Sequence, residues 1–379
     1  MQFYEVKGGL IMTDCSVNDG TADDRTFPGK IAVITDYYAA TGDDFHCADR
    51  LIAKYSADKI IHISWPVNFA AEQDTLVKTA AALAADREVK ALIFNQAIEG
   101  SNAAVDKFKE TRDDAFIVYC KTNEPSSEAA FHANLILSPN ELGMGPAIAE
   151  QARKQGAKVF VHYSFPRHME MQLLSGRRDR IRKTCMEEGL QFVDAVTLDP
   201  LDETGIIAAQ KFILKDVPRL VAKYGENTAF FSTNCALQAP LIKAVVDSHA
   251  IYPQPCCPSP YNGFPEALGI KIEEGKADLN YVIGEACRIA AEMNMTDRLS
   301  TWPVSASMMF TNAGAEYAIK WLKGEVPKTG IDKTILLECM DSFIQEVVGE
   351  ASNVYMTTYS YEGVTCENFK LVLMSYLDF

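Results

Sequence analysis

The sequence predicts an α/β protein of two similar lobes, each a parallel sheet flanked by helices. Three observations carry this. Residues 30–35, KIAVIT, are a short apolar run rich in β-branched residues, bounded by Gly29 and Asp36. Such a run reads as a strand buried on both faces, as parallel strands under helices are. A polar, aromatic loop follows (37–44), then helical spacing over 45–55. The same unit recurs at 158–162, KVFVH, with an aromatic exit at 163–167 and a helical stretch at 171–188. The following units also correspond: 59–64 parallels 191–196, and 89–95 parallels 228–233. Each half therefore reads βαβαβα.

A length of 379 residues suits two domains at roughly 150 residues each. Hydrophobic residues at 48% supply an ordinary globular core. The formal net charge of −15 repels phosphate backbones and argues against nucleic acid as a partner. Ten cysteines occur without a CxxC pair, as buried thiols would in a reducing setting. No stretch reaches the ~20 apolar residues of a membrane span, so direct membrane insertion is not expected. The opening MQFYEVKGGLIMTDCSVNDG lacks a basic start and a long apolar run. The expectation is a cytoplasmic protein, or an extracytoplasmic one if an export signal was removed.

In order, residues 1–29 read as an arm on the first lobe. Strands are expected at 30–35, 59–64, 89–95, 116–120 and 133–138, and helices at 45–55, 69–85 and 101–111. After the second-lobe strands at 158–162, 191–196 and 228–233 comes a helix over 236–247. The stretch YPQPCCPSPYNGFP (252–265) holds five prolines and excludes regular helix. Helices are then expected at 279–294, at 312–323 with Gly324 as stop, and at 332–348. Residues 298–305 read as extended, and 353–379 as a β-rich tail. The expected division is 1–140 with about 300–325 as lobe one, and 141–299 with about 326–379 as lobe two, hinge and tail.

The segment 135–165, LILSPNELGMGPAIAEQARKQGAKVFVHYSF, reads strand, glycine-containing turn, Ala-rich helix, Gly156 stop and new strand. It resembles the crossover of type I periplasmic binding proteins and of lac-repressor-type ligand domains. Within that superfamily it is similar to the basic-membrane-protein-type nucleoside receptors and uncharacterised relatives. The resemblance implies two Rossmann-like lobes joined by a multi-strand hinge, and a return of the 298–323 region to lobe one. It also implies delivery of a solute to an ABC permease. Gly143-Met-Gly145-Pro-Ala147 separately fits a dinucleotide pattern, but four residues separate it from the strand end where a tight turn is required. No cofactor is expected.

In open α/β sheets, ligands sit beyond the carboxyl ends of strands. Asp36, Tyr37, Tyr38 and Asp43 follow the first strand; Asp43 or Asp44 could equally cap the next helix. Trp65 follows the second, as a stacking surface or as core. Asn95 and Gln96 follow the third and offer donors and acceptors together. Lys121 follows the fourth. In lobe two, Ser164, Phe165 and Arg167 follow the first strand, and Asn234 follows the third; Trp302 lies on the return segment. Arg167 could clamp a carboxylate or phosphate, or pair with a surface acid. The expectation is a non-catalytic receptor for a small polar solute with a ring, a nucleoside or sugar, serving transport or sensing.

A rival reading is a two-cysteine racemase-like enzyme using Cys120 and Cys235, one from each lobe. Its local run Thr233-Asn234-Cys235-Ala236 departs from the Cys-Asn-Thr order of those enzymes. The vicinal Cys256-Cys257 lacks a second cysteine pair at zinc spacing, so no metal is expected there. GxSxG, GxxxxGK and HExxH are absent.

Overall fold

The computed structural model describes residues 26–35, 42–66, 72–272, 279–349, 352–361 and 363–379, with the side chains of 42–45 left out. In chain order the elements are β1 (Lys30–Thr35), α1 (Gly42–Tyr55), β2 (Ile60–Ser64), α2 (Gln73–Ala85), β3 (Val89–Phe94), α3 (Ser101–Lys109), β4 (Phe116–Cys120), α4 (Ser126–His132) and β5 (Leu135–Pro139). The crossover helix α5 (Glu141–Lys154) leads to β6 (Val159–Ser164), α6 (Pro166–Glu170), α7 (Gln172–Glu187), β7 (Gln191–Val196), α8 (Gly205–Tyr224) and β8 (Thr228–Ser232). A 3-10 turn (Cys235–Leu237) precedes α9 (Gln238–Asp247), α10 (Phe264–Leu268), α11 (Leu279–Glu292) and β9 (Ser300–Thr301). The chain closes with α12 (Ala306–Lys323), α13 (Lys333–Val348), β10 (Val354–Tyr361), β11 (Val364–Met374) and β12 (Leu377–Asp378).

The first sheet has the order β10-β11-β5-β4-β3-β1-β2. All its pairings are parallel except β10 with β11. β4 is buried along its whole length, and β1 over all but its first residue. That is why both read as continuous apolar runs rather than alternating ones. The second sheet, β7-β6-β8, is also parallel. It is extended by single bridges from Ala229 to Ile251 and from Tyr252 to Leu299. The two lobes thus share the strand order second-first-third-fourth-fifth, with β1 and β6 at corresponding places.

One face of the first sheet packs under α2 and α3 through Leu76, Val105 and Phe108. Its other face carries α1, α12 and α13, and this core continues without a break to α5 and α7 on the second sheet. α8, α9 and α11 cover the remaining face of the second sheet. The architecture is the expected one: two Rossmann-like lobes of the type I periplasmic-binding-protein kind. The chain passes between the sheets three times, from β5 to β6, from β9 to α12, and from β11 to β12.

One expectation needs correction. The tail was assigned to the second lobe, yet β10 and β11 join the first sheet. Phe369 of β11 pairs with Ile136 of β5, and its side chain enters the first-lobe core. Only β12 returns to the second lobe, against β9. The glycines of the apparent dinucleotide pattern also find a packing role. A Cβ on Gly145 would lie 2.9 Å from the Arg177 carbonyl oxygen, so its absence lets α5 lie against α7. Asn140 caps α5 by accepting from the Gly143 amide at 2.8 Å.

Candidate functional site

The carboxyl ends of the parallel strands hold most of the sequence-predicted residues, and the structure gives them different fates. Asp36, Tyr37 and Tyr38 lie outside the described residues, and Asp43 sits in α1 with its side chain outside them. Trp65 is 5% exposed; its ring packs on Phe94 and its Nε1 donates to the Gln96 carbonyl at 3.1 Å. Trp302 is 1% exposed within the continuous core. Both indoles are buried in the core, the packing alternative for Trp65. Trp and Phe serve burial as readily as recognition, and sequence alone does not separate the two.

Asn95 is buried; its Nδ2 donates to Thr311 Oγ1 of α12 at 2.9 Å. It therefore ties β3 to the returning helix. Arg167 makes a bidentate pair with Asp199, at 2.7 and 2.8 Å, and lies over the Phe165 ring at 5.2 Å. That partnership holds the Asp199 carboxyl down at about 2, well below the usual carboxylate range. Arg167 takes the surface-acid alternative. Phe165 is 1% exposed and packs against His168. Ser164 is buried and accepts from Thr233 Oγ1 at 3.4 Å, while His168 Nδ1 stands 2.9 Å from the same Thr233 oxygen. The Asn234 side chain accepts from the Ala236 amide at 2.9 Å and so caps the turn that follows. Gln96 and Lys121 remain partly exposed at the ends of β3 and β4.

The constellation that sequence spacing did not reveal is formed by Cys235, Cys256 and Cys257. Cys235 Sγ lies 3.2 Å from Cys256 Sγ and 3.5 Å from Cys257 Sγ. All three sulfurs fall within 4.8 Å of one another. Cys235 begins the turn that Asn234 caps, directly after β8. The vicinal pair sits in the proline-rich segment after the Ile251–Tyr252 bridge. From Ile251 to Pro260 every residue is buried except Cys257.

Side chains from several elements pin that segment. Ser300 Oγ donates to the Pro253 carbonyl at 2.6 Å. Tyr376 OH donates to Gln254 Oε1 at 2.6 Å, and Gln254 Nε2 donates to the Pro255 carbonyl. Tyr252 OH donates to Gln238 Oε1, and Gln238 Nε2 donates to the Asn234 carbonyl at 2.6 Å. Asn262 Nδ2 donates to the Cys257 carbonyl at 2.9 Å and approaches Cys235 Sγ at 3.8 Å.

Charge is shared unequally across the sulfurs. Hydrogen bonding with Cys256 and Cys257, helped by Asn262 and the Lys121 cation, holds the Cys235 thiol well below its ordinary range. Hydrogen bonding with Cys235, together with burial, pushes the Cys256 and Cys257 thiols up. Lys121 is on the first lobe, so its charge acts across to the second lobe at this point. Cys120, by contrast, is fully buried in the apolar core. Cys235 is exposed, so the two cysteines of the racemase-like reading sit in different surroundings.

A separate groove of about 510 Å³ lies between α1, α12 and α13. It is crossed by ion pairs, Arg50–Glu346 at 3.0 Å and Lys54–Glu316 at 2.7 Å. Lys54 and Tyr55 end α1 just before β2 begins, so the groove is not among the strand carboxyl ends. Among the described residues no helix is long and apolar enough to cross a membrane.

Comparison with known proteins agrees with this architecture. A Clostridium difficile 630 protein provisionally called a transcriptional regulator has a TM-score of 0.83 at 21% identity, covering 93% of this chain and 99% of its own. A sugar ABC transporter structure from Actinomyces odontolyticus ATCC 17982 has a TM-score of 0.53 at 7% identity, covering 80% and 86%. A periplasmic ribose ABC transporter structure from Conexibacter woesei DSM 14684 has a TM-score of 0.50 at 11% identity, covering 79% and 88%. At such identities the likeness is one of fold. In sequence, an uncharacterized protein of Treponema pallidum (strain Nichols) is 34% identical over 165 residues, 44% of this chain and 76% of its own length. A second from the same organism is 29% identical over 176 residues, 45% and 80%. The family model described as a protein of unknown function, DUF3798, matches residues 29–300, from just before β1 to the start of β9, and the chain belongs to that family.

Proposed function

We propose that this protein is a non-catalytic receptor for a small polar solute with a ring, of the nucleoside or sugar class, held between its two lobes. The observation that carries the reading is that strand carboxyl ends in both sheets present polar side chains, Gln96 and Lys121 after β3 and β4 and Asn234 and Cys235 after β8. Ligands of open α/β sheets lie beyond such ends, beside the strand where the order reverses. In the first sheet that strand is β1, and Asp36, Tyr37 and Tyr38 follow it directly. Gln96 and Lys121 would add an amide and a cation to the polar edge of the solute.

The fold shared with sugar ABC transporter structures supports a transport receptor working with a permease. The fold shared with the Clostridium difficile protein, over nearly its whole length, supports a ligand sensor. Both uses need the same binding step, because closure on a solute stabilises the liganded state only through contacts that the open state lacks.

The test is a melting-temperature screen of nucleosides, nucleobases, sugars and amino acids on metal-free protein. At a hundredfold excess over Kd a true ligand adds about 2.7 kcal/mol, or roughly 2–4 °C. A Lys121→Ala variant should respond more weakly to the best hit. Turnover of a hit by the purified protein would reject the receptor reading, as would a flat screen.

A further inference from the structure

The trio of thiols does something that solute recognition does not require. We propose that Cys235, Cys256 and Cys257 form a three-thiolate site for a thiophilic metal ion of the zinc(II) or copper(I) class.

The geometry comes first. A tetrahedral zinc site with ~2.3 Å Zn–S bonds places its sulfurs about 3.8 Å apart. The observed separations of 3.2 and 3.5 Å differ from that by a few tenths of an ångström. Small outward movements of Cys235 and Cys257 would admit an ion, and both are on the accessible side, whereas Cys256 closes the floor.

Rigidity comes next. The vicinal pair is carried by a segment with prolines at 253, 255, 258 and 260, and is pinned by Ser300, Tyr376 and Gln238. Cys235 is held by a capped turn. The sulfurs are therefore brought together before any ion arrives, and a preorganised site loses less entropy on binding.

The donor set gives the class. Among the described residues, the cluster within reach of a shared ion is sulfur alone, with no carboxylate or imidazole. Thiolates select soft and borderline ions such as copper(I) and zinc(II) over magnesium, calcium or manganese. Three thiolates complete a trigonal copper(I) site. With zinc(II) they leave a fourth position open. Three thiolates and zinc(II) carry a net charge of −1, which Lys121 partly offsets. Asn262 supplies the outer hydrogen bonds that orient metal ligands. Each ligating sulfur that still carries a proton gives it to solvent as its S–metal bond forms, so uptake is accompanied by acid release. The sequence hid the site because Cys235 stands 21 residues from Cys256, outside any short zinc spacing.

The experiment uses the full chain, reduced with a phosphine and desalted without oxygen. Separate samples receive zinc(II) or copper(I), pass over a sizing column, and are analysed for metal per chain. The native protein should retain one equivalent of at least one of the two ions and release protons on uptake. Cys235→Ser and Cys257→Ser should retain none, while Cys185→Ser, whose thiol is buried elsewhere, should match the native protein. Asn262→Ala should weaken the retained ion by about 10–100-fold. Circular dichroism of each variant checks that it is folded, and Cys257→Ser, at an exposed position, is the variant least prone to fold poorly.

Equal retention by the native protein and by folded Cys235→Ser/Cys257→Ser would overturn the proposal. So would a fully reduced native protein that retains neither ion. If that protein instead forms a reversible Cys235–Cys256 disulfide in air, the cluster is a redox pair and not a metal site. None of these outcomes bears on the solute screen, which runs without metal.

Discussion

At the scale of single residues, the buried Arg177 shows how this protein places charge. It is 2% exposed, lies over the Phe231 ring at 5.2 Å, and donates from Nη1 to Glu141 at 2.5 Å. Its Nε has no hydrogen-bond partner among the described residues. A buried cation is tolerated only with a partner, and removing that partner leaves the desolvation cost unopposed. Glu141→Ala should therefore destabilise the protein by about 3–5 kcal/mol in urea unfolding. A loss below about 1 kcal/mol would mean that water reaches the guanidinium in its place. Glu141 starts the crossover helix, so the ion pair also fixes the exit of the chain from the first lobe. The same logic of partnering explains the fate of the residues proposed as ligands. Arg167 found Asp199, Asn95 found Thr311, and Asn234 found the amide of Ala236.

At the scale of elements, close helix approach depends on missing side chains. At Gly145 an added Cβ would meet backbone of α7 at 2.9 Å and the Arg180 side chain at 2.8 Å. At Gly314 it would meet Val118 Cγ1 at 2.9 Å, between α12 and β4. Gly284, in α11, has nothing within 4 Å of the corresponding position. Gly145→Ala should cost about 1–3 kcal/mol through forced separation of α5 and α7. Gly284→Ala should instead stabilise, by up to about 1 kcal/mol, since alanine is the better helix former. Equilibrium unfolding of the two variants side by side is the check, and a cost at Gly284 or none at Gly145 would refute the packing account.

At the scale of the whole molecule, stability should depend on acid through three histidines, one in the first lobe and two in the second. Burial lowers the pKa of His62, His162 and His168 below the ordinary 6.5. His162 is the most enclosed, stacked 5.8 Å from Phe231 and tilted against Phe192 at 6.1 Å, with Nδ1 3.3 Å from Asp194. A base with a depressed folded pKa binds fewer protons folded than unfolded below pH 6.5. Its contribution is thus complete above about pH 6.5 and is lost as pH falls toward the folded pKa. The melting temperature should drop between pH 7 and pH 5. His162 alone should contribute a slope of up to about 1.4 kcal/mol per pH unit. His162→Phe, which keeps the stack, should flatten the profile; an unchanged slope would assign the acid sensitivity elsewhere.

The amino-acid sequence by itself determined the two α/β lobes and their repeated strand–helix units. It could do so because a strand buried on both faces must be apolar throughout, and the loops at its carboxyl end are polar. Those are local demands, and the runs 30–35 and 158–162 state them directly. Only the tertiary structure decided which residues meet. Trp65 and Trp302 have the composition of a stacking surface, but neighbouring elements enclose them. The tail reads as β without naming its partner, and the exposed edge of β5 chose it. The three thiols lie on two separate segments and converge because β8 and the Ile251–Tyr252 bridge are neighbours in one sheet. Such contacts depend on strand order, and strand order is set by how whole faces pack, a property that no short stretch of sequence carries.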